Sequence, residues 1–243
     1  MNEELGNPAG RLHYALANYD RARQGATALD AWGAVLGTSP GTSEILPRLA
    51  KLASQVPELR ARLDVVAPRQ VANFDRYADA IYSPILGTGQ ALVSAQAGTS
   101  VDEHVLAWLS STAELLHAYD SHFKVGADDD RVELRDLLEA ARDAVRSDTK
   151  LTSDLKLHLI ELVDRAIRAL DEIELVGPEA VMAQVDQIVV VVSKNQEKTA
   201  NSISVLEKVW KKAYATMVTA TVVAEGAESV QQIAAHTANL FGN

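Results

Sequence analysis

The sequence predicts an all-α protein, a multi-helix bundle of roughly nine to eleven helices with a long C-terminal helical unit. Three observations lead to this prediction. Alanine and leucine dominate a chain in which aromatic residues make up only 5%. Helix-capping residues and prolines stand before most apolar segments, and glycines often follow them. The C-terminal stretch repeats apolar residues at spacings of three and four, which is the period of a packed helix.

That C-terminal stretch runs from Ile203 to Phe241. Its heptad seam has one polar member, Gln231, and is alanine-rich between larger residues at its ends. The segment 213–224 carries no charge on any face, which indicates a helix that is buried in the core, covered by a partner or a second copy, or inserted in a membrane. We expect one helix over 202–224 and a second over 227–240, separated at Gly226.

Local signals place the other helices in order along the chain. Proline at a first helical turn and glycine after a last turn mark most of the boundaries, and Ser100 with Glu103 forms a capping box. Ile188–Val192 is a β-branched run, but no other stretch offers it a strand partner, so we expect a buried helix. The expected helices span 8–24, 27–36, 43–55, 57–66, 68–82, 84–97, 100–123, 130–146, 152–175 and 178–192.

A polar segment near the middle of the chain, GADDD at 126–130, is the clearest surface loop and a plausible boundary. It separates an N-terminal helical region, 1–125, from a C-terminal helical region, 126–243. The length of 243 residues suits one large domain or two small ones. We expect the two regions to form one continuous domain.

Charge and cysteine content restrict the function classes. The net charge is −10, and the entire acidic excess lies in residues 101–200. This distribution speaks against nucleic-acid binding, which requires a basic stripe. The chain has no cysteine, which excludes disulfides, thiolate zinc sites and a cysteine nucleophile. With no secretory leader and no long apolar run in the sequence, the expected location is cytoplasmic.

No catalytic or cofactor motif stands out. The phosphate-binding glycine patterns and the Gly-x-Ser-x-Gly elbow are absent, and no arginine precedes a histidine at the spacing of helical ribonucleases. Glu114 and His117 form a single Glu-x-x-His, with Asp120 and His122 nearby, whereas helical di-metal sites use two such pairs. We therefore expect no cofactor and no metal, and the sequence favours a protein without enzymatic activity.

An aromatic and basic cluster precedes the uncharged run and is the candidate interaction site: Trp210, Lys211, Lys212, Tyr214 and Met217. Tryptophan and tyrosine are the residue types most enriched in interface hot spots. The alternative is a core tryptophan with lysines at the water edge. A membrane interpretation is also open, because Trp, Tyr and Lys favour membrane interfaces.

The segment 151–192 contains the sequence LTSDLKLHLIELVDRAIRALDEIELVGPEAV, with a polar cap, a leucine seam and a glycine before an apolar helix. It resembles a helical hairpin of uncharacterised bacterial all-helical proteins. Ala31–Leu36 (AWGAVL) is similar to theirs as well. The resemblance implies an all-helical fold and a bacterial origin, and it assigns no activity, cofactor or site residue.

Three functions remain open from the sequence. The first is a helical protein–protein interaction module, such as an adaptor, immunity or accessory protein in bacterial stress or phage defence, acting through a protein partner or as a homo-oligomer. The second is a membrane-active effector that conceals an apolar hairpin, 178–224. The third is a metal-dependent enzyme whose site the sequence does not reveal.

Overall fold

A computed structural model gives the fold, and it describes residues 6–24, 26–39, 43–87, 100–119, 125–195, 199 and 202–218. These residues form ten α-helices and no strand, which confirms the predicted all-α multi-helix fold. Segments 84–97 and 100–123 lie partly outside the described residues, and the predicted helix 227–240 lies wholly outside them.

The helices are labelled in chain order, and one 3₁₀ turn, Pro68–Gln70, precedes the fourth. They are α1 (Pro8–Ala22), α2 (Ala28–Leu36), α3 (Ile45–Val66), α4 (Val71–Leu86), α5 (Glu103–Tyr119), α6 (Asp128–Ser147), α7 (Ser153–Asp171), α8 (Ile173–Val176), α9 (Pro178–Lys194) and α10 (Ile203–Met217).

The chain divides into two compact units. Unit 1 contains α1 to α5 and takes in Glu174–Val176 from the short helix α8. Unit 2 contains α6, α7, α9 and α10. The predicted N-terminal region 1–125 does not include Glu174–Val176, so chain order alone does not define unit 1.

Helix α1 is the centre of unit 1 and packs against α2, α3 and α5. Its apolar positions recur every three or four residues, so one face is buried along its whole length, at Leu12, Ala15, Leu16 and Tyr19. The Tyr19 ring stacks on Trp32 of α2 with centroids 4.4 Å apart. Leu175 of α8 belongs to the same buried cluster.

Arg11 is fully buried in α1 and is held by polar partners on α3. Its Nε donates to Gln55 Oε1 at 2.7 Å, and its Nη2 lies 3.5 Å from Glu58 Oε1. A buried guanidinium requires such partners because an isolated charge in the interior is costly. The contacts of Arg11 with Gln55 and Glu58 therefore fix how α1 is aligned with α3.

The sequence predicts a helix break before Pro57, and this prediction is wrong. α3 is continuous from Ile45 to Val66 with Pro57 inside it. Proline in a helix interior removes one backbone hydrogen bond and crowds the preceding turn, at a cost of about 3 kcal/mol. Leu52, Val56 and Leu59 are fully buried on either side of the proline, and their packing stabilises the helix through it.

The predicted break at Ser83-Pro84 is also wrong, because α4 continues to Leu86. Trp32 Nε1 donates to the Pro84 carbonyl oxygen at 2.8 Å, so the last turn of α4 is tied to α2. The helix ends at Gly87, whose φ of 58° lies in the left-handed region that glycine adopts without strain.

The start of α5 differs from the predicted capping box. The helix begins at Glu103, and Asp102 Oδ1 accepts the backbone N–H of His104 at 2.8 Å. Asp102 also provides the carbonyl that accepts from Val105 and Leu106. The cap is therefore Asp102 rather than Ser100, two residues later in the chain.

Unit 2 is a four-helix bundle in which α6 packs against α7 and α10, while α9 packs against the same two helices from the other side. Two ion pairs connect α6 with α7: Arg135 to Asp171 at 2.6 Å and Arg142 to Asp164 at 3.3 Å. From the first pair to the second, the α6 residue moves one heptad forward in the chain and the α7 residue moves one heptad back. The two helices are therefore antiparallel, as in a coiled-coil hairpin.

Contacts at both ends of α10 show that it too runs antiparallel to α6. At its start, Ser202 Oγ donates to Asp148 Oδ2 at 2.7 Å, just after the end of α6. At its other end, Thr216 lies against Gly126, before the start of α6. A Cβ built on Gly126 would stand 2.2 Å from Thr216 Cγ2, so only glycine fits this approach.

The junction between α7 and α9 follows the glycine and proline signals, but the predicted helix 152–175 is wrong in its last turn, because the helix is interrupted at Glu172. α7 ends at Asp171, α8 forms a single turn over Ile173–Val176, and Gly177 has a φ of 81° before Pro178 opens α9. The β-branched run Ile188–Val192 is helical, as predicted. Its burial in the bundle outweighs its preference for strands.

The prediction of one helix over 202–224 is wrong at its C-terminal end. α10 stops at Met217, and Val218 has extended backbone angles, φ −105° and ψ 137°. A β-branched residue stands at 216, 218 and 219 and at 221–223, and such residues weaken a helix. The part of the heptad seam beyond Val218 lies outside the described residues.

Candidate functional site

The five predicted interaction residues all lie on α10, but not on one surface. The helix buries a face that contains Trp210 and Met217, together with Leu206, Val209 and Ala213. Its opposite face is exposed and consists of Ser204, Lys208, Lys211 and Ala215. Tyr214 and Lys212 lie at the edges between the two faces and are half-buried.

Trp210 and Tyr214 form an aromatic pair one helical turn apart. Their ring centroids are 4.6 Å apart with an interplanar angle of 45°. Trp210 is 8% exposed, so most of the indole packs inside unit 2, whereas Tyr214 reaches the surface. Burial raises the pKa of the Tyr214 phenol, and the nearby carboxylate of Asp186 raises it further.

Lys212 joins α10 to the first turns of α6. Its Nζ donates to Asp130 Oδ1 at 2.7 Å and to Glu133 Oε2 at 2.5 Å. The hydrogen bond to Asp130, followed by the one to Glu133, raises the pKa of Lys212 above its ordinary value. These acids also stand near the N-terminus of α6, where negative charge is stabilised by the helix dipole. Lys212 therefore links α10 to α6.

Lys211 is exposed and pairs with Glu207 one turn earlier on the same helix, at 2.5 Å. Such exposed i, i+4 pairs stabilise a helix by a few tenths of a kcal/mol. Met217 is fully buried. The structure thus places Trp210 and Met217 in the bundle interior, and leaves Tyr214 and Lys211 accessible in the isolated chain.

Next to this aromatic pair, the structure shows a feature of α9 that the sequence prediction missed. Asp186 is exposed, yet the atoms packed around it displace enough water to raise the pKa of its carboxyl. Val190 lies one turn further on the same face and is 49% exposed. The signal was present in the sequence, since Asp186 is the single charged residue between Val181 and Val192.

No ion pair joins Asp186 to any residue that the structure describes, and the pKa of its carboxyl is raised by burial alone. A nearby cation would lower this pKa. Among the described residues the carboxylate has no ion-pair partner, and it lies near enough to Tyr214 of α10 to raise the pKa of that phenol. We call Asp186, Val190 and Tyr214 the α9–α10 surface.

The apolar hairpin predicted over 178–224 corresponds to α9 and α10 as far as Val218. The two helices pack against each other and against α7 and α6, so their apolar faces lie within the bundle. Within the described part of the chain, no helix combines the length and apolar character that a bilayer span requires.

For the metal-enzyme alternative, the described residues contain no group of three or more histidine, aspartate or glutamate side chains placed to hold a metal ion. Glu114 of the Glu-x-x-His pair is exposed on α5, and His117 is half-buried. The neighbouring positions Asp120 and His122 lie outside the described residues.

An open groove of about 230 Å³ lies between the start of α6 and the end of α7. Its lining consists of Asp128, Arg131, Val132, Arg135, Leu170 and Asp171. Each arginine is bound by an aspartate of the groove itself, Arg131 by Asp128 and Arg135 by Asp171. The positive charge is neutralised in place, so the groove is not a ready anion site.

Comparison with known proteins adds no assignment. No family model matches the chain, and no curated protein and no solved structure is significantly similar to it.

Proposed function

We propose that the protein is a helical protein–protein interaction module without enzymatic activity, and that unit 2 presents its partner-binding surface. The observation that carries this proposal is the Trp210–Tyr214 pair. A largely buried indole supports a tyrosine ring that reaches solvent, which is the arrangement of a rigid interface anchor. An anchored aromatic ring loses little conformational entropy when a partner covers it.

Charge supports a protein partner of basic character. The acidic excess lies in residues 101–200, which include α6, α7 and all of α9. Most arginines of α6 and α7 are already bound by neighbouring carboxylates, as in the pairs of Arg135, Arg142 and Arg165. A complementary partner would therefore bring its own cations, which favours fast and specific association.

Affinity capture of the tagged chain at native expression tests this function, with soluble and membrane fractions separated and identified by mass spectrometry. The variant Tyr214→Ala removes the accessible ring and leaves Trp210 in place. Tyr119→Ala is the matched control, because Tyr119 is 66% exposed on α5 of unit 1.

The expected result is a stoichiometric soluble partner, or a second copy of this chain, retained by the wild type and by Tyr119→Ala. The affinity for this partner should fall about thirtyfold or more with Tyr214→Ala, and its recovery should fall accordingly, since an interface hot spot contributes about 2 kcal/mol or more. A partner that remains bound to both variants contradicts the assignment to unit 2. Recovery in the membrane fraction alone would favour the membrane-active alternative.

A further inference from the structure

We propose that the groove between α6 and α7 binds an amphipathic helix of a partner protein, which places one apolar side chain in the groove between two basic side chains. This inference goes beyond the proposed function, because it assigns a second surface of unit 2. Since α7 and α10 each lie between α6 and α9 in the bundle, the outer side of the α6–α7 pair faces away from the α9–α10 surface.

The floor of the groove is apolar and is the first feature that carries the inference. It consists of Val132 of α6, which is 58% exposed, and Leu170 of α7, which is buried. The other exposed positions of α6 are mostly charged, so an exposed valine is unusual there. The groove volume of about 230 Å³ is below the roughly 300 Å³ or more of most small-molecule pockets, so the groove suits one apolar side chain better than a metabolite.

A carboxylate stands at each end of this floor and is the second feature. Asp128 binds Arg131 and uses its Oδ1 to do so. Asp171 likewise binds Arg135 through its Oδ1. In neither aspartate does Oδ2 bond to a residue that the structure describes, and both side chains are exposed. A carboxylate has two acceptor oxygens, so each aspartate can accept a further hydrogen bond from an incoming ammonium or guanidinium.

Spacing along α6 sets the register of the partner. Asp128, Val132 and Arg135 recur at i, i+4 and i+7, so they lie on one face of the helix. The ion pair with Arg135, at 2.6 Å, holds Asp171 at the far end of this face. Seven helical residues rise about 10 Å, at roughly 1.5 Å per residue. A partner helix lying along the groove matches this distance with basic residues at i and i+7 and an apolar residue at i+3 or i+4.

The charge around the groove is the third feature, and it favours cations. The segment 128–136 holds five acidic residues and two arginines, and α7 adds Asp171, followed in the chain by Glu172. Lys212 of α10 binds two of these acids and supplies one positive charge. Negative charge therefore remains in excess after the two arginine pairs have formed. Such a surface attracts a basic segment and repels an acidic one.

The test uses the full chain and a defined probe, a blocked alanine-based peptide of about 16 residues, which is long enough to form a helix. The peptide carries lysines at i and i+7 and leucines at i+3 and i+4. One matched peptide replaces the leucines by alanine, and a second replaces the lysines by glutamine. Binding is followed by backbone amide shifts in ¹⁵N-labelled protein.

Two variants test the floor and the carboxylates separately. Val132→Ala shortens the floor, and Leu157→Ala is its control, because Leu157 is 68% exposed on α7 and does not line the groove. Asp128→Asn removes one carboxylate. Asp154→Asn is its control, because each aspartate is an exposed residue in the first turn of its helix, and Asp154 lies at the start of α7.

The lysine–leucine peptide should shift amides around Val132 and Leu170 in the wild type and in both control variants, with equal affinity. Val132→Ala should weaken binding about fivefold, because it removes two methyl groups from the contact. Asp128→Asn should weaken it about threefold, as expected for one exposed ion pair. Both matched peptides should bind several-fold more weakly, and added salt should weaken binding to the wild type.

Equal affinity for Val132→Ala and Leu157→Ala, or shifts centred outside α6 and α7, overturns the inference. Concentration-dependent shifts of the same amides without peptide would show that a second copy of the chain occupies the groove, which also overturns it. Both test positions are exposed, so the variants are expected to fold, and unchanged amide shifts elsewhere in unit 2 check this.

Tyr214→Ala separates this inference from the proposed function. It should leave the peptide affinity unchanged, because Tyr214 lies on α10 and outside the groove. A peptide that binds Tyr214→Ala as weakly as Val132→Ala occupies another site, and the inference is then wrong. Capture of no Tyr214-dependent partner contradicts the proposed function, while the peptide result still decides the role of the groove.

Discussion

Trp210 and Tyr214 are neighbours on one helix, yet substitutions at the two positions report on different properties. A charged residue at Trp210 would place an unpaired charge inside unit 2, because the indole is largely buried. Loss of partner binding in such a variant would follow from loss of folding. Tyr214 is the position where the ring can be removed from the surface while the interior remains packed, so it separates binding from stability.

Asp186 makes a second prediction at the scale of one residue. Burial raises the pKa of its carboxyl above the ordinary 3.8, so the native state holds the proton more tightly than the unfolded chain. The stabilising contribution is present below that ordinary value and is lost as the pH rises through the native pKa. Asp186 is exposed, so solvent screens its charge, and Asp186→Asn, which stays neutral, should be more stable than the wild type at pH 7 by only about a few tenths of a kcal/mol.

Urea unfolding between pH 3 and pH 7 measures this effect. The advantage of Asp186→Asn should shrink towards zero at pH 3, where the native carboxyl of the wild type is protonated too. Asp136→Asn is the control, because Asp136 is exposed on α6 of the same unit and the charge change is identical. A stability loss at pH 7 with Asp186→Asn would mean that the carboxylate has a stabilising partner in the native chain.

At the scale of elements, the close approach of α10 to the loop before α6 depends on one glycine. A methyl group at Gly126 would stand 2.2 Å from Thr216 Cγ2 and 2.9 Å from the Thr216 carbonyl oxygen. Gly126→Ala should therefore force α10 away from α6 and lower the free energy of unfolding by about 1 to 3 kcal/mol. Chemical denaturation followed by far-UV circular dichroism measures the loss.

Thr216→Ser provides the matching test, because it removes the Cγ2 methyl group and keeps the hydroxyl. In the double variant, Gly126→Ala should lower the free energy of unfolding by less than it does alone. The clash with the Thr216 side chain is relieved, while the contact with the Thr216 carbonyl oxygen remains. The two substitutions should thus be non-additive, as expected for residues in contact. Strict additivity would show that Gly126 and Thr216 do not meet in this way.

The helices show which parts of the fold the sequence determines locally. Start and stop signals at Asn7, Thr27 and Gly177 act on the backbone beside them, and the structure has helix ends there. Pro57 and Pro84 carry equally strong local signals, but tertiary packing outweighs both. Local rules cannot reveal such cases, because the stabilising contacts come from other helices.

The candidate site, too, could be predicted from the sequence only in part. The sequence identified Trp210 and Tyr214 as an aromatic cluster, but it could not tell whether the seam that contains Trp210 faces the core or a partner. It also missed Asp186, because a single carboxylate in a helix has no meaning until its neighbours are known. The lack of an ion-pair partner among the described residues and the influence of Asp186 on the pKa of Tyr214 are properties of the bundle rather than of α9.

At the scale of the whole molecule, the path of the chain crosses the division into units. Most of unit 1 precedes residue 121, but Glu174–Val176 belongs to it although unit 2 supplies the residues on both sides. Leu175 is 8% exposed and lies in the buried cluster of unit 1. Glu174 lies near Tyr14 of α1, where burial, and then this carboxylate, raise the pKa of the phenol. Unit 1 is therefore incomplete without a segment from the C-terminal half of the chain.

Leu175→Ala tests this assignment in the full chain. Truncation of a buried leucine leaves a cavity and costs about 2 kcal/mol or more, so amide exchange should accelerate in α1, α3 and α5 before it does in α6 and α7. Leu157→Ala is the control, because Leu157 is 68% exposed and its loss should cost less than about 0.5 kcal/mol. If Leu175→Ala instead accelerates exchange only in unit 2, then α8 stabilises the bundle that flanks it in sequence. If Leu175→Ala accelerates exchange in unit 1, a fragment that ends at residue 125 should be less stable than the same residues in the full chain, because the fragment lacks Leu175 and Val176.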